Sequence, residues 1–188
     1  MKRKIIFIDR DGTLNIDRGY VYRIEDFEFI PGSLEGLKLL SDYPCILYII
    51  TNQAGIAKGL FTEDDFNCLN QYMLKQFELS GIRIEGVLFC PHHPKGKVKK
   101  YRRNCQCRKP EIGLVKPILS KFPAHEYYFI GDKDSDILCG KKINALTYLV
   151  ETGYGQSKKK GSTADYVVKN FYKAVLHILN NKPLPAGP

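Results

Sequence analysis

Asp9 and Asp11 stand two residues apart at the end of an unbroken apolar run, Ile5-Ile6-Phe7-Ile8. In extended backbone alternate side chains share a face, so this spacing predicts two carboxylates pointing the same way. Gly12 then lets the chain turn sharply. Two neighbouring anions repel each other, and a hard cation such as Mg²⁺, which takes oxygen ligands, removes the conflict. The same cation lets a carboxylate approach a phosphate. One acid can then attack phosphorus. The other can pass a proton to the leaving oxygen and later take one from water. The plain alternative is an Asp-rich turn after a strand, because Asp and Gly are common turn formers.

The same arrangement, an apolar run ending in small polar or charged residues, recurs twice. Cys45–Ile50 leads into Thr51-Asn52-Gln53-Ala54-Gly55, where the Thr51 hydroxyl, Asn52 and the following backbone N–H groups can all donate to phosphoryl oxygens. Tyr128-Phe129-Ile130-Gly131 leads into Asp132-Lys133-Asp134-Ser135-Asp136. Asp132 can complete a cation's shell, Asp136, about one turn further, can hydrogen-bond or pair with Lys109 one layer back, and Lys133 can touch a substrate phosphate. Asp134 reads as a helix-start residue.

Two short pairs, Cys90-Pro91-His92 and Cys105-Gln106-Cys107, offer three thiols and an imidazole. That set suits a tetrahedral Zn²⁺ with no open position, hence a structural metal. His93 competes with His92 for the fourth place. Arg108 and Lys109 follow at once, so the metal loop would frame two cations; Arg108 offers a bidentate fork for an anion.

Taken together, DRDGT, the Thr51-Asn52 turn, Lys109 and GDxxxD follow the order of the four motifs of the haloacid dehalogenase superfamily, and the chain resembles that superfamily. With GY, TNQAGIAKG, CPHHP, CxCRKP and GDK, the resemblance narrows to the family of heptose-bisphosphate and histidinol-phosphate phosphatases over roughly residues 5–155. The resemblance implies Asp9 as nucleophile and Asp11 as general acid/base. It implies Mg²⁺ on Asp9, Asp11 and Asp132, and Zn²⁺ on Cys90, Cys105, Cys107 and His92 rather than His93. Thr51 and Lys109 would stabilise the transferred phosphoryl group, with Asp136 pairing with Lys109 from behind, and Arg108 would recognise substrate. The remaining substrate-contact candidates are Asp17, Gly19 and Tyr20, in a flap over residues 15–30, together with Asn52, Gln53, Ala54 and Lys133. Ala54 stands where some relatives carry Ser, and Lys58 where Arg is common. Histidinol phosphate is the alternative substrate; a polynucleotide phosphatase or a nucleic-acid-binding zinc protein is the more distant reading.

The elements that must position these residues alternate. Strand candidates are 5–9, 45–50, 86–90, 127–131, 146–150 and 165–168; helix candidates are 33–42, 62–80, 113–122, 134–143 and 170–181. Alternation of this kind predicts an α/β fold, a Rossmann-like parallel sheet with helices on both faces. A flap and a zinc loop over about 90–108 would replace a large cap. Phe66, Leu69, Met73 and Phe77 trace the core face of the second helix, and Thr62 with Asp65 resembles a capping box. Residues 151–164 read as a mobile loop, and 182–188 as a tail.

The 188 residues suit one domain, 1–188. No stretch approaches the ~20 apolar residues of a membrane span, and the first residues lack a secretory pattern. The expectation is a cytoplasmic protein, a monomer, with no membrane partner. A net charge of +9 favours anionic partners, concentrated at 95–103 and 158–160. The paired acids oppose binding along a phosphate backbone, so the expected partner is a small sugar phosphate, not nucleic acid. Cys45, Cys68 and Cys139 read as ordinary buried thiols.

Overall fold

The structure is a computed structural model that describes residues 3–123 and 125–180. The expected tail at 182–188 lies outside the described residues. Six parallel strands form one sheet: β1 (Lys4–Ile8), β2 (Cys45–Asn52), β3 (Gly86–Cys90), β4 (Glu126–Gly131), β5 (Leu146–Val150) and β6 (Tyr166–Val168). Their order is β3-β2-β1-β4-β5-β6. The chain steps outward from β1 through β2 to β3, then returns to the other side of β1 with β4. Strand order therefore reverses between β1 and β4, and the crevice at such a switch point is where open α/β sheets bind ligands.

Helices cover both faces, as the doubly apolar β1 requires. Ile6 and Ile8 belong to a core with Leu37, Leu69, Met73, Phe77, Phe171 and Val175. These come from α1 (Ser33–Asp42), α3 (Glu63–Leu79) and α7 (Phe171–Asn180). Ile5 and Phe7, on the other face, join Val115, Ile118, Phe129 and Cys139. Ile118 lies on α4 (Lys116–Lys121) and Cys139 on α5 (Asp134–Lys142). Two short helices, α2 (Ala54–Lys58) and α6 (Gly155–Lys158), follow the ends of β2 and β5. The Thr62–Asp65 capping box starts α3, and Phe66, Leu69, Met73 and Phe77 are its buried residues.

Several expectations change. α4 begins only at Lys116, after a turn in which Val115 and Lys116 both donate to the Ile112 carbonyl. Pro117 fits a first turn but not an interior, so the helix expected from 113 starts late. Cys68 is exposed and Cys45 half-buried; of the three thiols read as core, only Cys139 is buried. Cys68 sits on α3 outside its apolar stripe. Residues 15–30 pair at their two ends only, Ile16 with Glu28 and Ile30 with Leu14, around a 3-10 turn at Ile24–Asp26. Among the described residues no helix is long and apolar enough to cross a membrane.

Candidate active site

β1 stops at Ile8, and the Asp9 N–H donates to the Ile130 carbonyl of β4 at 2.9 Å. Asp9 thereby sits beside the end of β4, next to Asp132. Carboxylate oxygens of Asp9, Asp132 and Asp136 lie within 4.8 Å of one another, all three residues buried. Lys109 reaches in from the loop after the cysteine pair. Its Nζ is 2.7 Å from Asp9 Oδ1 and 2.6 Å from Asp136 Oδ1, and it donates to the Ile50 carbonyl. Burial opposes the charge on Lys109, but Asp136 and Asp9 outweigh it and hold the ammonium protonated above its ordinary range. Asn52 grips the Lys109 backbone from both sides, donating to its carbonyl and accepting from its N–H, each at 3.1 Å. Asn52, expected as a substrate contact, thus holds Lys109 in place with its own amide.

Asp132 is fully buried, and its Oδ1 has no hydrogen-bond partner; the nearest cation, Lys133 Nζ, is 3.6 Å away. Burial, reinforced by Asp9, pushes this carboxyl up to about 8. A buried acid with an unpartnered oxygen, beside a second acid, is a site short of positive charge. The oxygen donor set of Asp9 and Asp132 fits a hard divalent cation.

Asp11 does not join this cluster. The backbone coils at once: the N–H groups of Thr13, Leu14 and Asn15 all turn toward the Arg10 carbonyl, and Gly12 takes φ +87°. The strand has already ended, so this coil and not strand parity places the Asp11 side chain. Asp11 instead accepts from Arg10, Asn15 Nδ2 at 3.1 Å and Gln53 Nε2 at 2.9 Å. Burial alone would raise its pKa, but Arg10, Asn15 and Gln53 together bring it below the usual carboxylate range. The Asp11 carboxylate, expected beside a shared cation, thus has three donor residues around it and lies outside the cluster of Asp9, Asp132 and Asp136.

Glycines let the backbone close over Asp132. A Cβ on Gly12 or on Gly153 would lie 2.2 Å from Asp132 Oδ2. Tyr154 N–H donates to the same oxygen at 2.8 Å, and Thr152 Oγ1 donates to the Gly12 carbonyl at 2.6 Å. The start of the stretch read as a mobile loop is therefore a wall of the site. The two glycines after β5 were its sequence signal. Arg10 and Asn15 had none, because a charged residue beside a strand end is usually a solvated one.

Beside the acids lies a cavity of about 290 Å³, whose lining includes Asp11, Asp17, Gly19, Tyr20, Asn52, Gln53, Ala54, Arg108, Lys109 and Lys133. Thr51 is buried, its hydroxyl accepting at 2.8 Å from Gln53, which lines the cavity. Lys133 spans to the flap, 3.2 Å from Asp17. Lys58 bonds the Tyr20 hydroxyl and, with Arg108 and His93, also lines the cavity. Lys58, Arg108, Lys109 and Lys133 give this hollow a positive lining. His93 Nδ1 accepts from Lys95 N–H, so His93 faces the cavity and not the thiols.

Cys90, His92, Cys105 and Cys107 converge a short way off. His92 Nδ1 is 3.2 Å from Cys107 Sγ, and Cys107 Sγ lies 3.1 Å from Cys90 and 3.2 Å from Cys105. Burial drives the Cys90 thiol well above its ordinary range, so the group is inert unless a cation draws off its proton. The donor set, three sulfurs and one nitrogen, is that of a soft tetrahedral ion. Arg108 Nη1 meets the His92 carbonyl at 3.4 Å, which ties this cluster to the cavity.

The chain is similar to several known proteins. A family model described as HAD-hydrolase-like matches residues 106–174. The D-glycero-beta-D-manno-heptose-1,7-bisphosphate 7-phosphatase of Pasteurella multocida strain Pm70 is 41% identical over 89% of this chain and 92% of its own. The protein of the same name from Escherichia coli strain K12 is 37% identical over 88% of each chain. The crystal structure of D,D-heptose 1,7-bisphosphate phosphatase from B. bronchiseptica, complexed with magnesium and phosphate, superposes with a TM-score of 0.84 at 26% identity, covering 94% of this chain and 98% of that one. An acid cluster at the sheet's switch point, a lysine driven into it and a cysteine–histidine loop alongside agree with that kinship, and the chain belongs to the heptose-1,7-bisphosphate 7-phosphatase family of haloacid dehalogenase-like hydrolases.

Proposed function

We propose that this protein is a phosphoric monoester hydrolase that removes the 7-phosphate of D-glycero-β-D-manno-heptose 1,7-bisphosphate through an aspartyl-phosphate. The observation that carries the reading is Lys109, buried between Asp9 and Asp136 and opening onto a cavity where Arg108, Lys58 and Lys133 add three more cations against the two acids Asp11 and Asp17. The names of the relatives support the substrate and its anomer.

Asp9 attacks phosphorus, and the bond from phosphorus to the sugar oxygen breaks. Asp11 gives its proton to that oxygen, releasing the alcohol. Water then attacks the aspartyl-phosphate, Asp11 takes its proton, and the bond to Asp9 breaks to give inorganic phosphate. Lys109 and the Thr51 hydroxyl meet the charge on the transferred group. Asp9 and Asp132 would hold Mg²⁺, which supplies neutralisation between carboxylate and phosphate. Asp136 is committed to Lys109 and keeps it aimed.

Arg108 takes the second phosphate as a planar fork. Its place next to Cys107 makes the cysteine loop its frame. Zinc in that loop is part of the reading, supported by the sulfur-rich donor set. Elemental analysis of cleanly purified protein should find one zinc per chain; none would remove the metal from the account.

The substrate is tested by phosphate release with Mg²⁺. Heptose bisphosphate should be preferred over histidinol phosphate, whose ammonium the cationic lining repels. Arg108→Ala should lower kcat/KM for the bisphosphate by about 10- to 100-fold, the scale of a lost charged hydrogen bond. The loss on a simple monophosphate should be much smaller. A preference for histidinol phosphate, or equal losses, would overturn the substrate assignment.

A further inference from the structure

Arg10 is the residue between the two catalytic acids, and nothing in the chemistry above uses it. Its side chain is fully buried and heads the largest such side chains among the described residues. Nε lies 3.1 Å from Asp11 Oδ1; Nη2 lies 2.8 Å from Oδ1 and 2.9 Å from Oδ2. Nη2 also donates to the Val21 carbonyl of the flap at 3.0 Å. The guanidinium lies over the Phe66 ring of α3, 5.5 Å from its centroid. Nη1 has no partner. A buried guanidinium is costly, and a plain structural role would use all its donors.

Gln53 closes the other side. One Nε2 group donates to Asp11 Oδ2 at 2.9 Å and to Thr51 Oγ1 at 2.8 Å. Because Thr51 Oγ1 accepts there, its own hydrogen is left to donate to a phosphoryl oxygen.

We propose that Arg10 and Gln53 are positioning residues that dock the Asp11 carboxylate and aim the Thr51 hydroxyl as one frame, so that the leaving oxygen and the phosphoryl group meet pre-set partners. The proposal rests on the phosphatase reading with Asp11 as acid/base. When Asp11 carries its proton, Arg10 cannot accept it, since a guanidinium only donates. The O–H is left for the leaving oxygen: the ester bond breaks, the proton passes to the alcohol, and the carboxylate returns to the clamp. Arg10 therefore matters in proportion to how much the leaving group needs a proton.

The test is kcat/KM with Mg²⁺ on p-nitrophenyl phosphate, whose phenolate leaves unaided, and on phenyl phosphate, whose leaving oxygen is far more basic. Neither probe depends on the heptose assignment; failure on heptose bisphosphate would strike that assignment alone. Arg10→Lys keeps the charge and loses the fork. It should fall about 10-fold or less on the nitrophenyl ester and about 100-fold on the phenyl ester, the range of a misplaced general acid. Gln53→Met, which leaves the buried charge pair in place, should lose rate on both esters and more on the phenyl ester. Equal losses on the two esters, in either folded variant, would reduce the frame to a packing role and overturn the proposal.

Discussion

Asp9→Asn should lower phosphate release by roughly 10⁵-fold or more while the protein stays folded, the scale seen when a nucleophile is removed. The amide keeps the shape of the acid and can still accept from Lys109, now 2.7 Å away. What is lost is the anionic oxygen that attacks phosphorus. The stability of the metal-free protein should move the other way. Burial and then Asp9 raise Asp132 to about 8. A carboxyl raised by folding is best tolerated when protonated, so the fold loses stability as pH climbs from the ordinary carboxylate range through about 8. Removing the Asp9 charge reduces that loss. Thermal melts without Mg²⁺ near pH 8 should show the variant equal to or above wild type, by as much as a few degrees. Activity within 10³-fold of wild type would remove Asp9 from the nucleophile's role.

Lys109→Met should damage both fold and activity. Methionine fills much of the same volume but leaves Asp9 and Asp136 buried without their counter-charge. Breaking a buried pair by removing one partner costs about 3–5 kcal/mol, or roughly 10 °C in thermal midpoint for a chain this size. Turnover should fall about 10²- to 10³-fold, the cost of one charge-stabilising donor in a dry site. Adding Asp136→Asn should return part of the stability, because one stranded anion is gone, and none of the activity. A midpoint unchanged in the single variant would mean that the acids find another partner, and that Lys109 is not what neutralises them.

Much of the site was legible because its residues lie where a periodic pattern breaks. Asp9, Thr51 and Asp132 each follow an apolar run that can only be a strand buried on both faces, and parallel strands end together at one edge. The cysteine pairs were legible from donor type and spacing. Arg10 was not, because nothing in one dimension separates a buried guanidinium from a solvated one. Asn52 carried the right donors for a ligand but spends them on Lys109, a residue 57 positions away. Asp11 lies in the expected neighbourhood, but Arg10, Asn15 and Gln53 and not strand parity set its carboxylate, since the parity of a strand holds only while the strand lasts.

By itself, then, the sequence determined the α/β sheet, the strand ends that carry acids, the hydroxyl donor and the sulfur cluster, because composition and periodicity are local and each strand end announces itself. Only the tertiary structure decided that Asp132 lies beside Asp9 with one oxygen unpartnered, that Gly153 and Tyr154 wall in Asp132, that Asn52 grips the Lys109 backbone, and that Arg10 and Gln53 hold the Asp11 carboxylate. Those choices are made by long-range contacts across the switch point between β1 and β4, where burial makes an unpaired charge costly: most of these groups meet a partner, and the bare oxygen of Asp132 marks the place short of positive charge.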